Sequence, residues 1–189
     1  MKEIKVASLC KAYDGKTVLA DVSFTAGVGI TRVAGASGVG KTTLLRILLS
    51  LETPDSGEIN TTALRWSAVF QENRLLEGMD AKGNLRFALG ADYDETVADT
   101  VLRELGLGDV GDKRVRDYSG GMKRRLALAR ALLASCDAIA LDEPFTGMDN
   151  DNRAAALACI LRAAEDRIVL LATHDVVSLP DNTPVVELG

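Results

Sequence analysis

The sequence predicts an α/β fold, and three observations carry that reading. Gly35-Ala36-Ser37-Gly38-Val39-Gly40-Lys41-Thr42-Thr43 sits between an apolar run, Ile30 to Ala34, and the helix-spaced Leu44, Leu45, Ile47, Leu48 and Leu49. A buried strand, a Gly-rich turn ending in Lys-Thr and a helix make a phosphate-binding loop. Two further apolar runs, Ala138 to Leu141 and Ile168 to Ala172, end abruptly in Asp142-Glu143-Pro144 and Thr173-His174-Asp175. Such runs read as short buried strands of a parallel sheet. Ahead of the loop, Glu3 to Ser8 and Thr17 to Thr25 are strand-like around Asp14-Gly15, a hairpin signal. The chain therefore opens with an antiparallel β layer.

Bulk properties exclude several classes. The 189 residues suggest one domain with room for a subdomain. A content of 47% hydrophobic and 26% charged residues suits a soluble globular chain, and a net charge of −5 argues against a surface that wraps nucleic acid. Met1-Lys2-Glu3-Ile4-Lys5 lacks the apolar core of a signal peptide, and no apolar run approaches the ~20 residues of a membrane span. Cys10, Cys136 and Cys159 are far apart and form no CxxC pair. They are expected to be reduced cytosolic thiols at small buried positions, with no zinc site.

Each element has a local reason. Tyr13, just before the hairpin turn, is either a half-buried strand aromatic or a flat surface for a base. In the loop, glycines let successive N–H groups turn into one concavity, and the helix that starts there adds the positive end of its dipole. Lys41 supplies a full charge for the β- and γ-phosphates, and the Thr42 hydroxyl is placed to ligate Mg²⁺. A breaker-rich loop from Leu51 to Gly57 follows, then strands at Glu58 to Asn60 and Leu64 to Phe70. Gln71 stands at the end of the second, where ligands collect in α/β sheets. From Glu72 to Tyr118 the strand pattern fades. Val97, Val101 and Leu105, with Leu102 beside them, recur at helical spacing and stop at Gly106 and Gly108. Leu75, Leu76 and Met79 are expected in the core of this helical insert, with a partner-facing surface the alternative for some of them.

Ser119 reads as the N-cap of a helix whose apolar face is Met122, Leu126, Ala129 and Leu133. Ser119-Gly120-Gly121 at that start is either an ordinary serine cap with glycines for tight packing or a second anion-binding surface. Lys123, Arg124 and Arg125 read as a solvated helix face. Asp142 and Glu143 are adjacent acids at a strand end, costly to hold together without a cation or polar ligand. Asp142 suits Mg²⁺, and Glu143 suits a general base that polarises the attacking water. Asn150 to Ala164 is an Ala-rich amphipathic helix, and Pro184 to Leu188 a possible edge strand. His174, the one histidine, stands at the same sheet end as the loop and the acid pair. A lone histidine is more often structural than catalytic, but at this sheet end it also suits the γ-phosphate or the ordering of the water.

Taken together, these motifs resemble the nucleotide-binding domain of an ATP-binding cassette (ABC) protein over essentially the whole chain. Gly35 to Thr43 resembles the Walker A loop, Gln71 the Q-loop glutamine, and Tyr118 to Met122 the signature motif. Ile139 to Glu143 resembles Walker B with its catalytic glutamate, and Gly147-Met148-Asp149 the D-loop. His174 resembles the switch histidine, and Tyr13 the adenine-stacking aromatic. Two departures stand out: Tyr118 where Leu is commoner, and Met122 where Gln is common. Val69-Phe70-Gln71 through Arg74-Leu75-Leu76 is similar to importer ATPases for nitrate, sulfonate or taurine-type substrates. The resemblance implies a P-loop NTPase core with an antiparallel β layer and a helical subdomain at roughly 72–134 inserted within a single domain, 1–189. It implies ATP and Mg²⁺ as ligands, with Gln71 joining Thr42 and Asp142 on the metal and Asp149 joining the nucleotide contacts. It further implies Lys41, Glu143 and His174 as catalytic residues. Implied partners are a second ABC subunit, which closes its signature over the first one's ATP, and transmembrane permease subunits, on the cytoplasmic face. No C-terminal regulatory domain is expected after Val185-Val186-Glu187.

Overall fold

A computed structural model describes residues 2–61, 64–174 and 177–189. Asp175, read above as following the histidine, lies outside them. In chain order the strands are Ile4–Tyr13 (β1), Lys16–Ala26 (β2), Gly29–Ala34 (β3), Ser56–Asn60 (β4), Trp66–Val69 (β5), Ala138–Asp142 (β6), Ile168–Ala172 (β7) and Val185–Glu187 (β8). The α-helices are Lys41–Leu48 (α1), Ala81–Leu89 (α2), Glu95–Glu104 (α3), Gly120–Leu133 (α4) and Asn150–Ala163 (α5).

Two sheets form. The antiparallel one runs β2-β1-β4, and the parallel one β5-β6-β7-β3-β8. The α/β class read from the sequence holds. β1 and β2 outrun the stretches read as strands, because register shifts between Val6 and Leu9 and between Leu9 and Lys11 interrupt the alternation that marks a strand.

The pleat of the parallel sheet divides the core in two. Ala138 and Ala140 of β6, with Ile168 and Leu170 of β7, face α1 and the antiparallel layer, where Leu44, Leu45, Ile4 and Leu9 are fully buried. Ile139 and Leu141, with Val169 and Leu171, face the other way onto α4 and α5. Alternate residues point to opposite faces, and both faces are covered, so these strands are apolar throughout. The register runs Val33 to Ala172 to Asp142 across β3, β7 and β6. All these strands are parallel, so the ends that carry Gly35, His174, Glu143 and Gln71 emerge on one rim.

The helical insert departs from its reading in detail. Asp94 caps α3 by accepting from Val97 N at 2.9 Å, and Gly106, at φ 66°, follows its end. Its buried line is Ala98, Leu102 and Leu105, with Val101 packed partly against the core; of the four residues read on this face only Val97, 49% exposed, turns away. Of the three apolar residues assigned to the core, Leu75 packs, whereas Leu76 and Met79 are exposed. Asn84 explains why: it is buried, and its side-chain amide bonds both Leu76 N and Leu76 O, at 2.8 and 3.0 Å. The segment is held by its backbone rather than by its side chains. Of the three cysteines only Cys159 is buried; Cys10 and Cys136 are partly exposed, and all three are free thiols.

Candidate active site

Gly40 is the N-cap of α1 at φ 116°, and a Cβ there would lie 2.8 Å from the Val18 side chain. Only glycine meets both demands, so the loop turns tightly enough to bring Lys41 in as the first helical residue. Lys41 is 6% exposed, and its Nζ donates to the carbonyls of Gly35 and Ala36 at 2.8 and 2.9 Å. The Thr42 hydroxyl reaches across to Asp142, donating to Oδ2 at 2.6 Å. A cavity of about 250 Å³ opens here, lined by Tyr13, Val18, Ser37, Gly38, Gly40, Lys41, Thr42, Thr43, Gln71, Asp142 and Glu143. A larger cleft, about 770 Å³, runs between β2 and residues 185–189 and reaches the loop at Ala36–Val39. None of Lys41, Thr42, Asp142 and Glu143 lines it.

Asp142 is 1% exposed, and burial pushes its pKa up. The Thr42 hydroxyl opposes the shift, neighbouring Glu143 reinforces it, and Arg124 and Lys41 pull the other way. A cation beside a buried carboxylate favours its ionised form, and the hard oxygens of Thr42 and Asp142 fit a divalent ion. Glu143 has a left-handed backbone, φ 51°, and its Oε2 meets Nδ1 of His174 at 2.9 Å. That carboxylate oxygen also accepts from His174 N at 3.3 Å. Tyr13 lines the cavity with 41% of its surface exposed, and the Lys11 ammonium lies 5.1 Å from its ring centroid.

Other motif residues stand apart from the cavity. Ser119 Oγ accepts from Met122 N at 3.2 Å and so caps α4. A Cβ on Gly121 would lie 2.4 Å from the Gly147 carbonyl, so the helix start packs backbone to backbone on the turn before α5. Asp149 caps α5, accepting from Asn152 N at 2.8 Å. Ser119, Gly120, Gly121, Met122 and Asp149 do not line the cavity of Lys41.

The basic run needs correcting. Arg124 is 3% exposed, and Arg125 Nη1 bonds the Leu105 carbonyl and Asn152 Oδ1 at 2.8 and 2.6 Å. Lys123 pairs with Glu77 at 2.7 Å. Three consecutive charges at a helix start read as solvated, yet α4 is packed on nearly every side, so each cation finds its own acceptor. The clue lay in the apolar density that follows them, from Leu126 to Leu133.

A family model described as ABC transporter matches residues 19–146, well over half of the chain. The chain belongs to the ABC transporter family. This ABC protein is an ATP-binding, ATP-hydrolysing subunit of a transport system. It is 37% identical over 169 residues to the aliphatic sulfonates import ATP-binding protein SsuB 1 of Pseudomonas savastanoi pv. phaseolicola, covering 88% of this chain and 71% of that one. With the SsuB 1 protein of Rhodococcus jostii the identity is 38% over 172 residues, covering 87% and 69%. A putative ABC transporter ATP-binding protein from Pyrococcus furiosus superposes with a TM-score of 0.86 at 23% identity, over 97% of each chain. That likeness speaks to the fold. Among the described residues no helix is long and apolar enough to cross a membrane.

Proposed function

We propose that this ABC ATPase energises the import of sulfonate-class organic anions. It works as a head-to-tail pair beneath two permease subunits, on the cytoplasmic face. The observation that carries the reading is the meeting, on one rim, of Lys41, the Thr42–Asp142 contact and the Glu143–His174 contact. The import and substrate class follow the sulfonate importers it matches.

Lys41 and the loop N–H groups take the phosphates of ATP, and Tyr13 offers its ring to the adenine. Mg²⁺, held by Thr42, Asp142 and Gln71, would neutralise charge on the phosphate oxygens. Glu143 accepts a proton from the water that attacks the γ-phosphorus, and His174 holds the Glu143 carboxylate in line. Ser119 and the N–H groups at the start of α4 close on the ATP of a second subunit, with Asp149 near that seam. Two such sites form per symmetric pair. Loss of the γ-phosphate contacts lets the pair open.

Glu143→Gln tests this. The full chain should keep its ATP affinity, lose about 10²–10⁴-fold in turnover, and elute as a dimer with Mg²⁺-ATP in size-exclusion chromatography. Wild-type turnover in the variant removes Glu143 from its role; elution as a monomer throughout defeats the pairing. Deletion of the subunit should abolish cellular uptake of a labelled alkanesulfonate, and undiminished uptake rejects that substrate class.

A further inference from the structure

Arg124 lies on the second turn of α4, buried at 3% exposure, with every partner below a neutral oxygen. Nε and Nη2 donate to the Glu143 carbonyl at 3.1 and 2.7 Å. Nη2 also donates to the Asp142 carbonyl. Nη1 donates to the Phe70 carbonyl and to Asn73 Oδ1, the latter at 3.2 Å. The fork therefore joins three segments: α4, the turn after β6, and the strand end just before Gln71. Burial of a guanidinium against neutral acceptors is costly, and burial pulls its pKa down against the opposing pull of Asp142 and Glu143. A side chain that merely filled space would avoid that cost.

Its main acceptor explains the arrangement. Glu143 takes the left-handed conformation that disfavours a residue with a Cβ. The carbonyl turned inward by that conformation receives both Arg124 N–H groups and the Thr146 hydroxyl, the last at 3.1 Å. On the other side Glu143 N donates to the Ala172 carbonyl at 2.8 Å. The same residue then projects its carboxylate to His174.

We infer that Arg124 is a positioning residue for hydrolysis: its guanidinium fixes the kinked backbone of Glu143 and ties it to the helix that begins at Ser119. This rests on Glu143 acting as the base, as proposed above. Arg124 does not line the phosphate cavity, so it acts through Glu143 and not on the nucleotide. Rigid linkage follows, since any shift of α4 on the sheet moves the Glu143 carboxylate with it.

Arg124→Lys and Arg124→Gln test the inference in the full chain, by phosphate release and by titration with a fluorescent ATP analogue. Lysine keeps the charge and loses the planar fork. Both variants should lower kcat by about tenfold or more, the scale of a misplaced reacting group, with KM and nucleotide affinity within about twofold. Unchanged kcat in Arg124→Lys overturns the inference. A parallel loss of kcat, affinity and thermal stability assigns the residue to packing alone and also overturns it. Thr146→Val removes the other side-chain donor to the Glu143 carbonyl and leaves the arginine in place. It should lower kcat severalfold at constant KM even if the arginine variants do not fold, and no change there counts against the inference. Glu143→Gln measured beside them separates the two claims: full activity in that variant fells the base, whereas its inactivity with an active Arg124→Lys fells only the positioning role.

Discussion

Asp142 shows how a single residue trades stability for readiness. Its folded pKa is raised by burial, so the folded chain favours the protonated acid, and stability falls as pH rises from the unfolded value, about 3.9, through the folded one. The nucleotide-free chain carries whatever part of that penalty has accrued across this window. Asp142→Asn keeps an oxygen for the Thr42 hydroxyl, which donates at 2.6 Å, and deletes the charge. The melting temperature of the nucleotide-free variant at pH 7 should rise, by roughly 2–4 °C for each kcal/mol relieved, while added Mg²⁺-ATP stabilises it less than wild type. A lower melting temperature in scanning calorimetry contradicts this account. The acid pair was legible because four apolar residues lead straight into it. The buried Arg124 was not, because a cation's fate depends on which carbonyls another strand brings within reach, and no local pattern records that.

Between elements, the tightest constraint is the contact of α4 with the turn ahead of α5. Gly121 approaches Gly147 so closely that an added Cβ would stand 2.4 Å from a carbonyl oxygen. Gly121→Ala must push the helix start away, at an overpacking cost of about 1–3 kcal/mol. Chemical denaturation should show that loss. If the helix start closes on a second subunit's nucleotide, ATPase activity should fall with it while nucleotide affinity stays. Undiminished stability would mean that the two turns slide apart freely. Helices were easier to find than their faces. α3 announces itself through helical spacing that stops at Gly106, yet its buried line is Ala98, Leu102 and Leu105, because α4 and α5 approach from that side. Alanine is a weak hydrophobic signal beside Val97, so periodicity finds Leu102 and Leu105 but not Ala98. Leu76 and Met79 misled for a related cause: apolar composition suggested burial, whereas Asn84 holds that segment by its main chain.

The molecule as a whole separates chemistry from anchorage at opposite ends of the parallel sheet. At the end away from the phosphate loop, Asp137 accepts from Lys2 Nζ at 2.5 Å and from Arg65 N at 2.8 Å, joining the amino terminus to the starts of β5 and β6. The Lys2 ammonium first, then Arg65, hold its carboxyl well below the ordinary range. The folded state thus prefers the ionised acid, and the stabilisation is present above about pH 4, the unfolded pKa, and lost as pH falls below it. In urea titrations wild type should exceed Asp137→Asn at pH 7, with the gap narrowing from pH 5 to pH 3. A gap that ignores pH shows that Asp137 acts through shape alone. At this scale the sequence was most informative, since the order of strands, loop and acids carries the α/β class without any distance. What it lacked was the sideways joining of segments far apart in the chain.

The Lys41 geometry governs how an anion arrives at the loop. Its ammonium is held by two backbone carbonyls in a nearly sealed spot, within a chain whose formal charge is −5. A polyanion drifting in from afar therefore meets an averaged repulsion, and feels the pull of the pocket only within a few ångströms. Dissolved ions mask influences beyond the ~8 Å Debye length of physiological salt. They hide the unfavourable distant field and spare the favourable contact, so saltier solutions hasten capture of the anion rather than slow it.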